Sequence, residues 1–234
     1  YASNRHNEFN INLAYFTVGV SHERFRARFT PGWGTYMAAN YAAEPAMMRN
    51  IFEASAGVKL AKKLWLDAGV LPSPYGYETA VAKDQLTYTR SLSAENSPYY
   101  VTGAKLSYSL NKKTTLAAFA INGWQKIQQP MRSPAMGTQL QIQPKEKWLV
   151  NWTTYFGDET ATQGEAASWR LFSNQYVSFS PTDKLHFVAL FDIGTQNKAD
   201  SIGVRSWRLW QLYKNVTRRL EVLSRASGKG AILR

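Results

Sequence analysis

The feature that most constrains this chain is the alternation of apolar and polar residues along extended segments. The clearest segment carries arginines interleaved with apolar residues: Arg24, Phe25, Arg26, Ala27, Arg28 and Phe29. A helix would distribute these arginines around its circumference, whereas a strand places them all on one face. The alternation therefore predicts a strand with one charged face and one apolar face.

Twelve segments of the chain show this period of two, and each is about 8–13 residues long. They are residues 9–20, 24–37, 51–60, 64–71, 100–110, 114–124, 136–143, 148–157, 169–180, 185–194, 205–214 and 217–224. A tilted strand needs about 9–11 residues to cross the apolar core of a bilayer, whereas strands of soluble sandwiches are usually about 5–6 residues long. We therefore predict an all-β fold, an antiparallel transmembrane β-barrel with about 12 strands in this sequence.

The predicted strands are joined by connections of two alternating lengths. Short turns fall at 21–23, 61–63, 111–113, 144–147, 181–183 and near 215. Long connections fall at 38–49, 72–98, 125–133, 158–168 and 195–204. Outer-membrane barrels alternate in this way, because their periplasmic turns are tight and their extracellular loops are long. A soluble Greek-key sandwich has no reason to sort its connections by length.

Composition agrees with a membrane protein built from strands. No apolar run is long enough for a membrane-spanning helix, and the mean hydropathy of −0.37 suits a barrel, in which every second residue faces lipid. Aromatic residues make up 14% of the chain, and we expect them in girdles at the two membrane interfaces. The aromatics near predicted strand ends are Trp33, Tyr36, Tyr99, Tyr100, Trp124, Trp148, Phe156 and Trp169.

The alternation also assigns strand residues to a face. The residues expected to face lipid are Phe25, Phe29, Leu106, Leu140, Ile142, Val150 and Trp152. The residues expected to face the lumen are Arg24, Arg26, Arg28, Glu53, Lys59, Asp67, Lys105, Gln139, Gln141 and Asn151. The physical reason is the cost of placing Arg or Lys in hydrocarbon, which is about 2–4 kcal/mol at the midplane of a bilayer.

The longest predicted connection, residues 72–98, opens with Pro-Ser-Pro, which can turn the chain back sharply. Two interpretations of it are open. The connection either folds into the lumen as a constriction or lies outside the barrel as a surface loop.

The sequence offers little for catalysis or metal binding. Cysteine is absent, and the three histidines are His6, His22 and His186, of which His186 falls on the predicted lumen face. Neither a Ser–His pair held by a third group nor a cluster with metal-ligand spacing is evident. We therefore expect a protein that is not an enzyme and that uses no cofactor and no metal.

Several stretches of the chain resemble one protein family. They lie at 5–10, 36–44 with Ala-Asn-Tyr-Ala-Ala-Glu, 50–54, 64–69 with Leu-Trp-Leu-Asp-Ala-Gly, 89–91, 94–100, 103–106 and 122–125. Over about residues 5–195 the chain resembles the OmpL-like β-barrel porins that are common in the outer membranes of Bacteroidetes. The resemblance implies a porin-like role in the outer membrane of a Gram-negative bacterium. Because members of that family are longer, we expect residues 1–234 to form a single barrel domain that is incomplete at both ends.

The formal charge of +12 is compatible with nucleic acid, anionic lipid or an anion-attracting pore as its counterpart. A nucleic-acid surface would mix basic residues with stacking aromatics on the same face, whereas here Arg26 and Arg28 alternate with Phe25 and Phe29. We therefore expect no nucleic acid as a partner. The expected partners are outer-membrane lipid, lipopolysaccharide and other envelope proteins.

Two functions fit these predictions from the sequence. The first is a porin-like channel for the passive passage of small solutes or ions, and the second is a non-conducting scaffold or interaction subunit of a larger envelope complex. If the lumen is open, the row of Arg24, Arg26 and Arg28 predicts a weak preference for anions. Glu53 and Asp67 on neighbouring strands would neutralise part of that row.

Overall fold

The fold is taken from a computed structural model, which describes residues 5, 7–81, 84–85, 90–128, 133–160, 166–182, 185–198, 201–216 and 219–227. The strands are β1 (Ala14–Tyr15), β2 (Val18–Ser21), β3 (Phe25–Trp33), β4 (Ile51–Ala61), β5 (Leu64–Pro72), β6 (Tyr100–Ser109), β7 (Thr114–Ile121), β8 (Ala135–Ile142), β9 (Trp148–Asp158), β10 (Trp169–Thr182), β11 (Leu185–Lys198), β12 (Ser201–Val216) and β13 (Arg219–Ser227). The connections contain α1 (Thr35–Asn40), a 3₁₀ turn at Ala46–Met48 and α2 (Leu92–Glu95). Within these ranges no helix combines the length and the apolar character that a membrane span requires.

The strands of the described residues form one antiparallel sheet of 13 strands. β1 and β2 pair with successive stretches of β3, and from β3 to β13 the order in the sheet is the order in the sequence. The predicted all-β, antiparallel fold is confirmed. In the part of the chain that the structure describes, β1 and β2 form one edge of the sheet and β13 forms the other.

The sheet curves, as a single contact demonstrates. Pro72 pairs with Tyr100 at the end of β5, and four residues further along the chain the backbone N–H of Gly76 donates to Asn174 on β10. Four residues span at most about 14 Å, whereas five strand spacings, from β5 to β10, measure about 24 Å along a sheet. The chain therefore reaches β10 across the interior of a curved sheet.

The register between strands defines the two faces of this sheet. Partners across a ladder point to the same side, and one row of partners crosses nine strands: Arg26, Gly57, Asp67, Lys105, Phe119, Gly137, Tyr155, Phe172 and Gly194. Tyr75 and Gly76, in the connection that follows β5, pack against the side that carries this row. We call this side the inner face and the opposite side the outer face.

The residues predicted to point outward share the outer face. Phe25, Phe29, Leu106 and Trp152 are 46%, 49%, 40% and 50% exposed. Leu140 and Ile142 are partly buried and pair with Trp152 and Val150 across β8 and β9. The alternation read from the sequence thus places all seven on one side of the sheet.

The long connections gather at one end of the sheet and the turns at the other. Between the described strands, the long connections are 34–50, 73–99, 122–134 and 159–168, whereas 62–63, 110–113 and 143–147 are turns. The predicted long connection at 195–204 is wrong, because β11 continues to Lys198 and Asn197 pairs with Val204 on β12. The polar residues there resemble a loop in sequence, but the strand pairing continues through them.

The first two predicted strands are too long. Segment 9–20 contains the short strands β1 and β2, and segment 24–37 contains β3 followed by α1. In α1 the buried residues are Tyr36, Met37 and Asn40, a spacing that lies on one face of a helix. A segment of only a few residues can fit both the period of a strand and the period of a helix, so the alternation cannot distinguish a short strand from a short helix.

Four of the predicted girdle aromatics lie inside the structure instead. Tyr36 and Tyr100 are each 1% exposed, Tyr99 packs edge-on against Tyr36, and Trp124 packs against a buried cluster of the inner face. They are buried because the long connections fold back over the strand ends. The other four remain partly exposed: Trp33, Trp148, Phe156 and Trp169.

Candidate functional site

An ionic cluster lies on the inner face of β3 to β6, and we call it the basic wall: Arg26, Arg28, Glu53, Lys59, Asp67 and Lys105. Arg26 forms a bidentate pair with Asp67, in which both N···O distances are 2.6 Å. Arg28 Nε lies 3.2 Å from Glu53 Oε2. The structure thus brings together six of the residues that the alternation assigns to the lumen.

Gly57 makes the pair between Arg26 and Asp67 possible. It lies between them in register, on the intervening strand β4. A Cβ atom at this position would overlap the Asp67 carboxylate and would lie 3.3 Å from Arg26 Cγ. The sequence alone shows a small residue here, and only the register reveals that a side chain would separate the two ions.

Aromatic rings lie beside the cations of the basic wall. Arg26 Cζ is 4.4 Å and Lys59 Nζ is 5.8 Å from the centroid of Trp65. Lys105 Nζ is 5.9 Å from the centroid of Phe119. Such contacts contribute about 0.5–1 kcal/mol at exposed sites. The alternation does not predict that these two rings lie on the inner face, because they are apolar residues at positions where it would place polar ones.

The other predicted lumen residues lie apart from the basic wall. Arg24 is in the turn before β3 and is exposed, so the predicted arginine row is shortened to Arg26 and Arg28 within the strand. Gln139 donates to Asn151 Oδ1 at 2.8 Å, and Gln141 lies opposite Asn151 in register. Because Asn151 is 1% exposed, its amide belongs to a tightly packed part of the inner face.

The described residues of the connection after β5 are 73–81, 84–85 and 90–99, and we call them the inner loop. They cross the interior from β5 to β9 and β10. The Tyr75 hydroxyl donates to the carbonyl oxygen of Thr154 at 3.1 Å. The Gly76 N–H donates to Asn174 Oδ1 at 3.2 Å. Of the two interpretations of this connection, the structure therefore favours the one in which it folds inward.

An aromatic cluster holds Tyr75 in place. Its ring centroid lies 5.6 Å from Trp124 and 6.0 Å from both Tyr155 and Phe172. Gly137 lies opposite Tyr155 on β8, and a Cβ atom there would lie 2.5 Å from the Tyr75 hydroxyl oxygen. The loop thus occupies space that a side chain at Gly137 would otherwise fill.

A buried carboxylate holds the returning limb of the inner loop. The Ser93 hydroxyl donates to Asp192 Oδ2, and the Asn174 amide nitrogen donates to Asp192 Oδ1. Since the Asn174 oxygen also accepts from Gly76, one pair of wall residues joins both limbs. We call Asn174 and Asp192 the latch; they are 0% and 1% exposed. Removing the partner of such a buried group costs about 1–3 kcal/mol.

A second set of contacts fixes the shape of the inner loop itself. The Ser91 N–H donates to the Glu78 carboxylate, with N···O distances of 3.1 and 3.3 Å. Burial raises the pKa of the Glu78 carboxyl, and the hydrogen bonds from Ser91 oppose that rise. The Ser91 side chain also accepts from the N–H of Ala94 at 3.1 Å, which caps the start of α2.

Comparison with known protein families identifies the family to which a chain with this curved sheet belongs. A family model described as "Putative beta-barrel porin-2, OmpL-like" matches residues 1–222. The chain belongs to this family. The matched range includes every described strand through β12 and the start of β13. Searches of the curated proteins and of the solved structures gave no match.

Among the described residues of this OmpL-like barrel, a serine and a histidine are in contact on the inner face. Ser180 Oγ lies 2.8 Å from His186 Nδ1, across the β10–β11 pair. In the described ranges no group of three or more His, Asp or Glu side chains could hold a metal ion. We take the basic wall and the inner loop as the candidate functional site, because they carry the exposed cations and the inward-folded segment of the inner face.

We predict that Gly137→Val displaces Tyr75 from the inner face of this OmpL-like barrel, because the branched side chain needs the space of the Tyr75 hydroxyl. Limited proteolysis should then cleave within residues 73–99 faster than in the parent protein. Thr138→Val is the matched control, since Thr138 lies next in the chain and points to the outer face. Equal cleavage rates for Gly137→Val and the control would contradict the contact.

A second prediction uses the absence of cysteine from the chain. In the double variant Ser93→Cys with Asp192→Cys, mild oxidation should form a disulfide, because the parent side chains are hydrogen-bonded and a disulfide needs close Cβ atoms. Gel mobility with and without reductant measures the crosslink. Ser93→Cys with Ile193→Cys is the control, since Ile193 points outward, and equal crosslinking of the two pairs would argue against the latch.

Proposed function

We propose that this protein is a passive channel of the outer membrane of a Gram-negative bacterium, through which small solutes or ions pass along the inner face. Its membership of an OmpL-like porin family supports the proposal. In such a channel, selectivity depends on the radius of the lumen and on the charges of its wall. The proposal involves no chemical step and no cofactor.

The observation that carries this proposal is the exposure of charged side chains on the inner face. The side chains of Arg28 and Arg26 are 58% and 44% exposed. Charged groups are stable where water reaches them, and a barrel whose interior is filled by side chains would bury both guanidinium groups. Their exposure supports a water-filled passage beside the basic wall.

The inner loop sets the width of this passage in our proposal. It packs against β9 to β11, where Asn174 and Asp192 bind its two limbs, whereas the basic wall belongs to β3 to β6. The passage would therefore run between the basic wall on one side and the inner loop on the other.

A non-conducting scaffold subunit is the second candidate, and the aromatic cluster favours it. Tyr75, Tyr155 and Phe172 are 3%, 2% and 3% exposed, so the loop closes its own part of the interior tightly. If the loop closes the remaining part as well, the barrel would act by binding other envelope proteins.

In either role, the proposed surroundings follow from the outer face. Its apolar side chains would meet outer-membrane lipid, and lipopolysaccharide would lie at the end that carries the long connections. The half-exposed Trp33, Trp148 and Trp169 lie at strand ends, where indole rings suit the headgroup region.

Conductance separates the two candidates. In planar bilayers, the purified protein should give discrete conductance steps, and replacement of residues 77–95 by a short Gly-Ser linker should give larger steps, because the lumen loses the inner loop. The control is Thr138→Val, which should keep the parent step size. A parent protein without steps at any voltage would support the scaffold. Equal step sizes with and without the loop would show that the loop does not narrow the passage.

The proposed contact with lipid has its own test in the middle of β4. Ala56→Arg, on the outer face, should lower the free energy of unfolding from lipid vesicles by about 2–4 kcal/mol, because it places a charge in hydrocarbon. Ser55→Arg is the matched control, since Ser55 lies next in the chain, points inward and already contacts Glu53. Denaturant titration measures both, and equal losses would contradict the membrane assignment of the two faces.

A further inference from the structure

The two kinds of charge in the basic wall differ in their exposure. The side chains of Arg26 and Arg28 are 44% and 58% exposed, whereas those of their partners Asp67 and Glu53 are 9% and 12% exposed. Each pair is neutral as a whole, but its cation lies toward the water and its carboxylate lies beneath. An ion in the lumen therefore meets the positive end of both pairs first.

The lysines add positive charge that no carboxylate of the wall balances. The basic wall contains four cationic side chains and two carboxylates, a net charge of +2. Lys59 is exposed and lies near the Trp65 ring. Lys105 is half-buried beside Phe119 and faces Asp67 in register, which Arg26 already binds through both oxygens.

Two buried carboxylates near the inner loop do not offset this charge in the water. Asp192 is 1% exposed and accepts from Ser93 and Asn174. Glu44 is 5% exposed and accepts from the Tyr100 hydroxyl and the Ile127 N–H. Both carboxylates are directed into packed contacts. An ion in the passage therefore interacts more strongly with the exposed cations of the basic wall than with these carboxylates.

We infer that the basic wall is an anion-selective surface, so that the solutes of this channel are small anions or molecules with an anionic group. The inference rests on the proposed channel function. Rings and clusters of Arg or Lys attract anions, and a low-dielectric wall focuses their field. From the sequence, the arginine row was expected to set the ion selectivity. From the structure, we assign this selectivity to Lys59, Lys105 and the exposed cations of two ion pairs.

The test is the reversal potential of the reconstituted full chain across a tenfold KCl gradient, with 0.1 M on the concentrated side, where the Debye length is about 10 Å. The parent should be more permeable to chloride than to potassium. Lys59→Gln and, separately, Lys105→Gln should lower this preference, each by up to about fivefold, the effect of one unit charge across about 4 Å of water. Glu53→Gln removes a buried negative charge and should raise it.

The matched control is Lys112→Gln, which removes the same charge from the exposed turn between β6 and β7 and should leave the permeability ratio unchanged. A conducting parent that prefers potassium would overturn the inference while leaving the channel intact. So would a permeability ratio that changes no more in Lys59→Gln and Lys105→Gln than in the control. A protein that never conducts would instead overturn the channel itself, and the selectivity with it.

Discussion

Partners across a β-ladder point to the same side of a sheet, and this constraint assembles the interior of the protein. The row from Arg26 through Gly57 to Asp67 and Lys105 combines four strands that follow one another in the sequence. The same row continues to Gly137 and ends in the wall that holds the inner loop. A slip of one residue in a strand would turn its side chains to the other face. In β5 such a slip would break the ion pair of Asp67 with Arg26, and in β10 it would break the contact of Asn174 with the inner loop.

The alternation in the sequence predicts which side chains share a face of the sheet. It does not predict contacts between segments that are distant in the sequence. The shared face of Arg26, Glu53 and Asp67 follows from counting residues in twos. The burial of Tyr36 and Tyr100 does not, because it results from long connections that fold back over the strand ends. The roles of Gly57 and Gly137 could not be predicted for a related reason: each matters for the atoms it lacks, and the register and the path of the inner loop decide which neighbours need that space.

The interior that results has two unlike sides. On one side the ion pairs of β3 to β5 leave their cations exposed, and on the other the latch and the aromatic cluster bind the inner loop with little exposure. The hydrogen-bonded latch joins both described limbs of the loop to the inner face, since they meet at Asn174 and Asp192. A narrowed passage with one charged wall is the consequence that we propose for an OmpL-like porin.

The central claim is that the inner face borders water while the outer face borders lipid, and the cysteine-free chain allows this to be measured residue by residue. Single cysteines introduced along β4 from Glu53 to Lys59 would be exposed to a membrane-impermeant thiol reagent in lipid vesicles. The account predicts labelling with a period of two, fast at Ser55 and Lys59 and slow at Ala54, Ala56 and Val58. Uniform labelling, or the opposite phase, would contradict it.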